Sequence, residues 1–144
     1  MGTSNDRGQS IFEVVVAVGL ISLVLITLVS MASLSIVAST FSRNQTEASR
    51  FTQQAAEWLR SEKDSGWINF KSHAASLTWC IDSLYWVKPG PCSSSDFVSG
   101  TVFKRSLKFT VNADGSIQTD VNTSWIDAKG THIVPTSIIF ADRK

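Results

Sequence analysis

The chain has 144 residues, which suits one modest domain with an appendage better than two full domains. Thirteen basic against twelve acidic side chains leave a net charge of +1. That balance excludes the strongly basic footprint of a nucleic-acid-binding protein, and twelve basic against ten acidic side chains from Ser39 on are still near neutral.

Residues 1–8, MGTSNDRG, are small, polar and turn-forming, with one charge of each sign. An apolar stretch follows at once over residues 11–38, and its only charge is Glu13. Its polar interruptions are serines and one threonine, which a helix tolerates in lipid by bonding back to its own carbonyls. The 25 residues from 14 to 38 exceed the roughly 20 that a bilayer core requires. From 39 to 65 the sequence turns polar but stays helical in period. Phe41, Ala48, Phe51, Ala55 and Leu59 form one apolar stripe, and Arg43, Glu47, Arg50, Glu57, Arg60 and Lys63 lie off it. Neither proline nor glycine interrupts before Gly66, which reads as the C-terminal cap. The first helix is therefore expected to run unbroken for about 55 residues.

The pattern from 67 to 99 is irregular and loop-rich, with short strands expected at 78–81 and 84–87. Residues 102–111 alternate, with Phe103, Arg105, Leu107, Phe109 and Val111 on one face, interrupted by Arg105. Asn112–Ala113–Asp114–Gly115 is hairpin chemistry, 117–126 alternate weakly, Ala128–Lys129–Gly130 is a second turn, and 132–140 read as a further strand. The expectation is an α+β fold: one long N-terminal helix with a mostly antiparallel sheet of three or four strands covering its amphipathic half. The segments are a leader at 1–8, a membrane or filament-core helix at 9–38, an amphipathic continuation at 39–66 and a β-rich head at 67–144.

Cys80 and Cys92 have eleven residues between them, and His73 and His132 are too distant in sequence to complete a zinc site locally. If the head faces an oxidising compartment, the cysteines read as one disulfide closing a short loop; two buried thiols are the alternative. The turn at Pro89–Gly90–Pro91 would bring Cys92 back toward Cys80.

Glu13 is the unusual residue. A carboxylate at the middle of a spanning helix costs about 3 kcal/mol, less near an interface, and needs a partner that the span itself does not supply. A cut after Gly8 would create a free amine on Gln9, one helical turn before Glu13. The string GQSIFEVVVAVGLISLVLI resembles the prepilin cleavage and methylation signal of type IV pilins: a glycine, a first mature residue, three more residues, a glutamate, then an apolar helix. It departs from the commonest pattern at Gln9, where phenylalanine is usual, and Arg7 is the leader's one basic residue. Farther on, QQAAEWLRSEKDSGW and VNTSWIDAKGTHIV resemble the end of the long helix and the terminal strand–turn–strand of minor pilins of the PilV kind.

The resemblance implies a pilin-like fold and a structural subunit of a filament. A prepilin peptidase would cut the Gly8–Gln9 bond and methylate Gln9, and Glu13 would serve processing or assembly by pairing with a neighbouring N-terminus. It implies as partners other pilin subunits, the peptidase, a pilus assembly platform and, before assembly, the inner membrane. The head would lie outside the cytoplasm and then on an extracellular or periplasmic filament. No nucleic acid, cofactor or metal is expected, and no nucleophile–base motif, P-loop or dinucleotide loop suggests an enzyme. A pseudopilin of a type II secretion system, a DNA-uptake pilus subunit and a single-pass membrane-anchored binding module are the alternatives. A cleaved secretory signal fits less well, because the apolar core is long and Glu13 interrupts it. The tryptophans, Trp58, Trp67, Trp79, Trp86 and Trp125, are expected in packing more than in ligand binding. Residues 112–116 hold a fragment of calcium-loop spacing and are read as a plain turn.

Overall fold

The structure, a computed structural model, describes residues 6–86 and 88–142, with side chains from Ile11 on. The fold is α+β. Helix α1 (Asp6–Ser65) is followed by α2 (Trp67–Ala74), β1 (Thr78–Cys80), β2 (Lys88–Pro89), β3 (Lys104–Val111), β4 (Ile117–Asp127) and β5 (Gly130–Phe140). The strands form one antiparallel sheet in the order β2-β1-β3-β4-β5. The chain divides into two compact units, Met1–Ser42 and Arg43–Lys144.

In the second unit the apolar stripe of α1 faces the sheet. Ala48, Ala55 and Leu59 are fully buried and Phe51 nearly so, whereas Phe41 stays exposed. Period-2 alternation decides the sheet's inner face. β4 buries Ile117, Thr119, Val121, Thr123 and Trp125, and β3 buries Arg105, Leu107 and Phe109. Val111, expected on that face, is half exposed, although Ile117 opposite it on β4 is fully buried. Thr52 faces the sheet with a hydroxyl 2.8 Å from that of Thr123 and 2.9 Å from the Ala48 carbonyl, so a polar pair is satisfied inside the contact.

Gly66 ends α1 where the sequence placed the stop, in extended backbone at φ 173°, and donates its amide to the Glu62 carbonyl. Two expectations for the segment that follows are corrected. Residues 67–74 are helix, not irregular chain. Phe70 and Ala74, four apart, bury one face of this short helix in the main core, so tertiary burial stabilises a helix too short to stand alone. The strand expected at 84–87 is displaced. Leu84–Trp86 are bend, Val87 lies outside the described residues, and pairing resumes at β2 opposite Trp79 and Cys80. Among the described residues the sheet therefore has five strands, with the short strand β2 at its edge.

Both hairpin turns stand where the turn residues placed them. Gly115, at φ +82°, completes the β3–β4 turn, and Asp114 Oδ1 accepts from the Ser116 amide at 2.9 Å and hydroxyl at 2.7 Å. These bonds occupy the carboxylate and draw it below its ordinary pKa. Residues 112–116 are thus a self-satisfied turn.

Candidate functional site

The apolar half of α1 is the first candidate. From Ile11 to Val37 its large side chains are exposed throughout, from Val16 at 44% to Leu34 at 72%. The hydroxyls bond backwards to the helix's own carbonyls, the arrangement by which a helix tolerates them in an apolar medium: Ser22 to the Val18 carbonyl at 2.8 Å, Thr27 to Val24 at 2.7 Å, Ser30 to Ile26 at 3.0 Å and Ser33 to Val29 at 3.1 Å. This helix is long and apolar enough to cross a membrane. Glu13 is exposed on it, and among the described residues nothing pairs with its carboxylate. Gly8 and Gln9 lie in α1, and their side chains fall outside the described residues. In helical geometry residue 9 is one turn before Glu13 on the same face.

The head's second feature is the Cys80–Cys92 disulfide, with Cα atoms 4.8 Å apart. Gly90 makes the approach possible. Its φ of +111° turns the chain between two prolines, and its amide donates to the Thr78 carbonyl at 2.8 Å. Cys80 is buried and Cys92 half-buried. The loop is stitched a second time by Lys88, whose ammonium reaches Asp96 at 2.6 Å and Asp82 at 3.4 Å. The Lys88 hydrogen bond, then the Ser93 amide, hold the Asp96 carboxyl down to about 2.

Arg105 ties this loop to the rest of the head. Its side chain is 2% exposed, donating from Nε to the Ile81 carbonyl at 3.1 Å and from Nη1 to the Phe51 carbonyl at 3.2 Å. Ile81 returns its amide to the Arg105 carbonyl at 2.8 Å. Burial pushes the guanidinium down to about 10, still charged at neutral pH, with the Asp82 carboxylate opposing the shift. The sequence marked Arg105 as a break in an apolar face; what it misses is that two backbone carbonyls from α1 and the β1 exit await it.

The tryptophans serve packing. Trp79 and Trp125 are buried, and Trp58, Trp67 and Trp86 pack against the main core. Trp79 Nε1 donates to the His73 carbonyl at 2.9 Å and Trp86 Nε1 to Glu62 Oε2 at 2.6 Å. His73 stacks on Trp86 at 4.3 Å and His132 on Trp125 at 5.0 Å, so both imidazoles are held among aromatic rings. Among the described residues no group of three or more His, Cys, Asp or Glu side chains converges as a metal site.

The loop the disulfide closes has little apolar material of its own, so the bond should stabilise it most. Replacing Cys80 and Cys92 together by serine is expected to destabilise the head by about 3 kcal/mol through a freer unfolded chain. The β3–β4 hairpin should remain folded. Thermal melting followed by amide exchange at residues 112–116 checks both parts, and an unchanged melting temperature would refute the first.

Comparison of the chain with known protein families, with curated proteins and with solved structures found no match in any of the three.

Proposed function

We propose that this chain is a structural subunit, a minor pilin, of a type IV pilus-like filament. One observation carries the reading: a long helix with its apolar side chains exposed from Ile11 to Val37 and, within that stretch, a single carboxylate, Glu13, near its start. A plain anchor has no use for that carboxylate. A helix that must leave lipid and pack among copies of itself has one, because Glu13 gains a partner when it meets a neighbouring N-terminal amine. The positive end of each helix favours the same contact.

In this reading a prepilin peptidase cuts the Gly8–Gln9 bond and methylates Gln9. The chain waits in the inner membrane with its head outside the cytoplasm, where the Cys80–Cys92 bond suits an oxidising compartment. An assembly platform then moves it into an extracellular or periplasmic filament beside other pilin subunits. Packing between helices replaces lipid contact, and the heads form the surface.

Mass spectrometry of the mature chain tests the reading. The expected N-terminus is Gln9, carrying one methyl group. Any other start overturns the prepilin assignment, and an unmodified Gln9 amine removes the methylation step from it.

A further inference from the structure

The head carries two apolar features at opposite ends, and they differ in shape. Along α1, Ala48 belongs to a small core with Phe51, Phe103 and Trp125, whereas Ala55 and Leu59 belong to the main core with Phe70 and Phe140. The register of β4 repeats this order, with Ile117 opposite Phe140 at one end and Trp125 opposite His132 toward the other. Helical rise from Ala48 to Gly66 separates the two ends by about 27 Å.

At the Trp125 end lies a recess of about 320 Å³, large enough for a side-chain anchor. Phe97, Val102 and Ile126 line it, exposed by 42%, 56% and 70%, with Trp125 behind them at 3%. Lys104 lines it too. Its ammonium donates to the Ser93 carbonyl at 2.8 Å and lies 4.8 Å from the Phe97 ring centroid, a cation held by neutral groups. At the other end Ile68 projects from the first turn of α2. It is 83% exposed, the most exposed large apolar side chain among the described residues of the head. Its backbone is fixed, because Phe70 two residues on is in the core and Trp67 stacks on Phe70 at 6.0 Å. Asp142 lines the same shallow depression as Ile68.

We propose that two copies of this chain join end to end, with Ile68 of one head entering the apolar recess beside Trp125 of the next. Shape and charge select a second copy as the occupant. A rigid apolar knob with a carboxylate beside it meets an apolar recess with an ammonium beside it. A fixed knob also gives up little conformational freedom on docking. Because the two faces differ, the contact is heterologous and leaves a free knob and a free recess at the ends of every pair. It therefore propagates into a line instead of closing into a dimer. The inference rests on the filament reading above and adds to it the contact between heads.

Cross-linking of the full chain, in sheared filaments and in the membranes of the cells that make it, is the test. The native cysteines are bonded to each other, so Ile68→Cys with Val102→Cys adds the only free thiols. Mild oxidation of the double variant should yield a ladder of dimers, trimers and longer species. Mixed single variants should yield dimers only, each holding one chain of either kind. Adding Ile126→Asp to the double variant should cut the ladder at least tenfold without lowering the head's melting temperature. Val102→Cys chains that dimerise with one another as readily as with Ile68→Cys chains would overturn the proposal in favour of a symmetric contact. No ladder, together with quenching of tryptophan emission by headgroup-brominated lipid that Ile126→Asp abolishes, would overturn it in favour of a bilayer surface. A ladder indifferent to Ile126→Asp would overturn it as random collision. The methylated Gln9 terminus is read separately, so its presence without the ladder sinks the head contact and leaves the filament reading standing.

Discussion

Glu13→Val should leave the chain in the membrane with a folded head and lower its entry into filaments by up to about 100-fold. In lipid the carboxylate of Glu13 is costly, about 3 kcal/mol near mid-membrane and less toward an interface. In the filament reading, pairing with a neighbouring N-terminal amine would recover that cost on assembly. Valine has no cost to recover, so the drive from lipid to filament would fall by the same amount, and about 1.4 kcal/mol corresponds to a factor of ten. The head has no reason to respond: Glu13 lies in the unit Met1–Ser42, and the core of the head is built from residues 48 to 140. The measurement is the ratio of chain in sheared filaments to chain in membranes, with protease resistance and an intact Cys80–Cys92 bond reporting the fold. Glu13→Gln separates charge from shape, since it keeps the size and loses the ion. Normal incorporation of the valine variant would show that Glu13 does not guide assembly.

Phe70→Ala should destabilise the head by about 3–5 kcal/mol, the usual range for emptying a buried phenylalanine site. Phe70 is 1% exposed and meets Phe140 at 5.0 Å, Trp67 and Phe109 at 6.0 Å and Trp86 at 6.4 Å between ring centroids. Its removal leaves a gap under both helices and the sheet, and the rings around it cannot all collapse into it. For a domain of this size each kcal/mol moves the melting temperature by roughly 4–8 °C. Ile68→Ala, two residues away, is the control. That side chain is 83% exposed, and its loss should stay within about 0.5 kcal/mol. Near-UV circular dichroism of the full chain in detergent gives both melting temperatures. Equal, small effects at the two positions would mean that 67–74 is not a core-packed helix.

Much of the architecture is written locally. The apolar stretch from 11 to 38 and the stripe from Ala48 to Leu59 announce one long helix, because a helix repeats its environment every three to four residues and α1 is long enough for that period to be unmistakable. Asn112–Ser116 and Ala128–Gly130 announce their turns, because only a few residues tolerate the backbone those turns require. The candidate carboxylate at Glu13 is visible for the same kind of reason: one ion in an apolar run needs no tertiary context to stand out.

Other features depend on partners far along the chain. Trp67–Ala74 is too short for its period to declare itself, and it becomes a helix because Phe70 has a core to enter. Arg105 looks like an error on a buried strand face until the carbonyls of Ile81 and Phe51, 24 and 54 residues away, are brought to it. The displacement of β2 to Lys88–Pro89 follows from the Cys80–Cys92 bond and the turn at Gly90, which together set where the returning chain can pair with β1. The recess beside Trp125 joins residues from the approach to β3 and from the β4–β5 hairpin, segments some 25 residues apart, and only the closed sheet brings them side by side. Local periodicity encodes which element forms; long-range packing determines which side chains meet, because burial is a property of neighbours that the local pattern does not name.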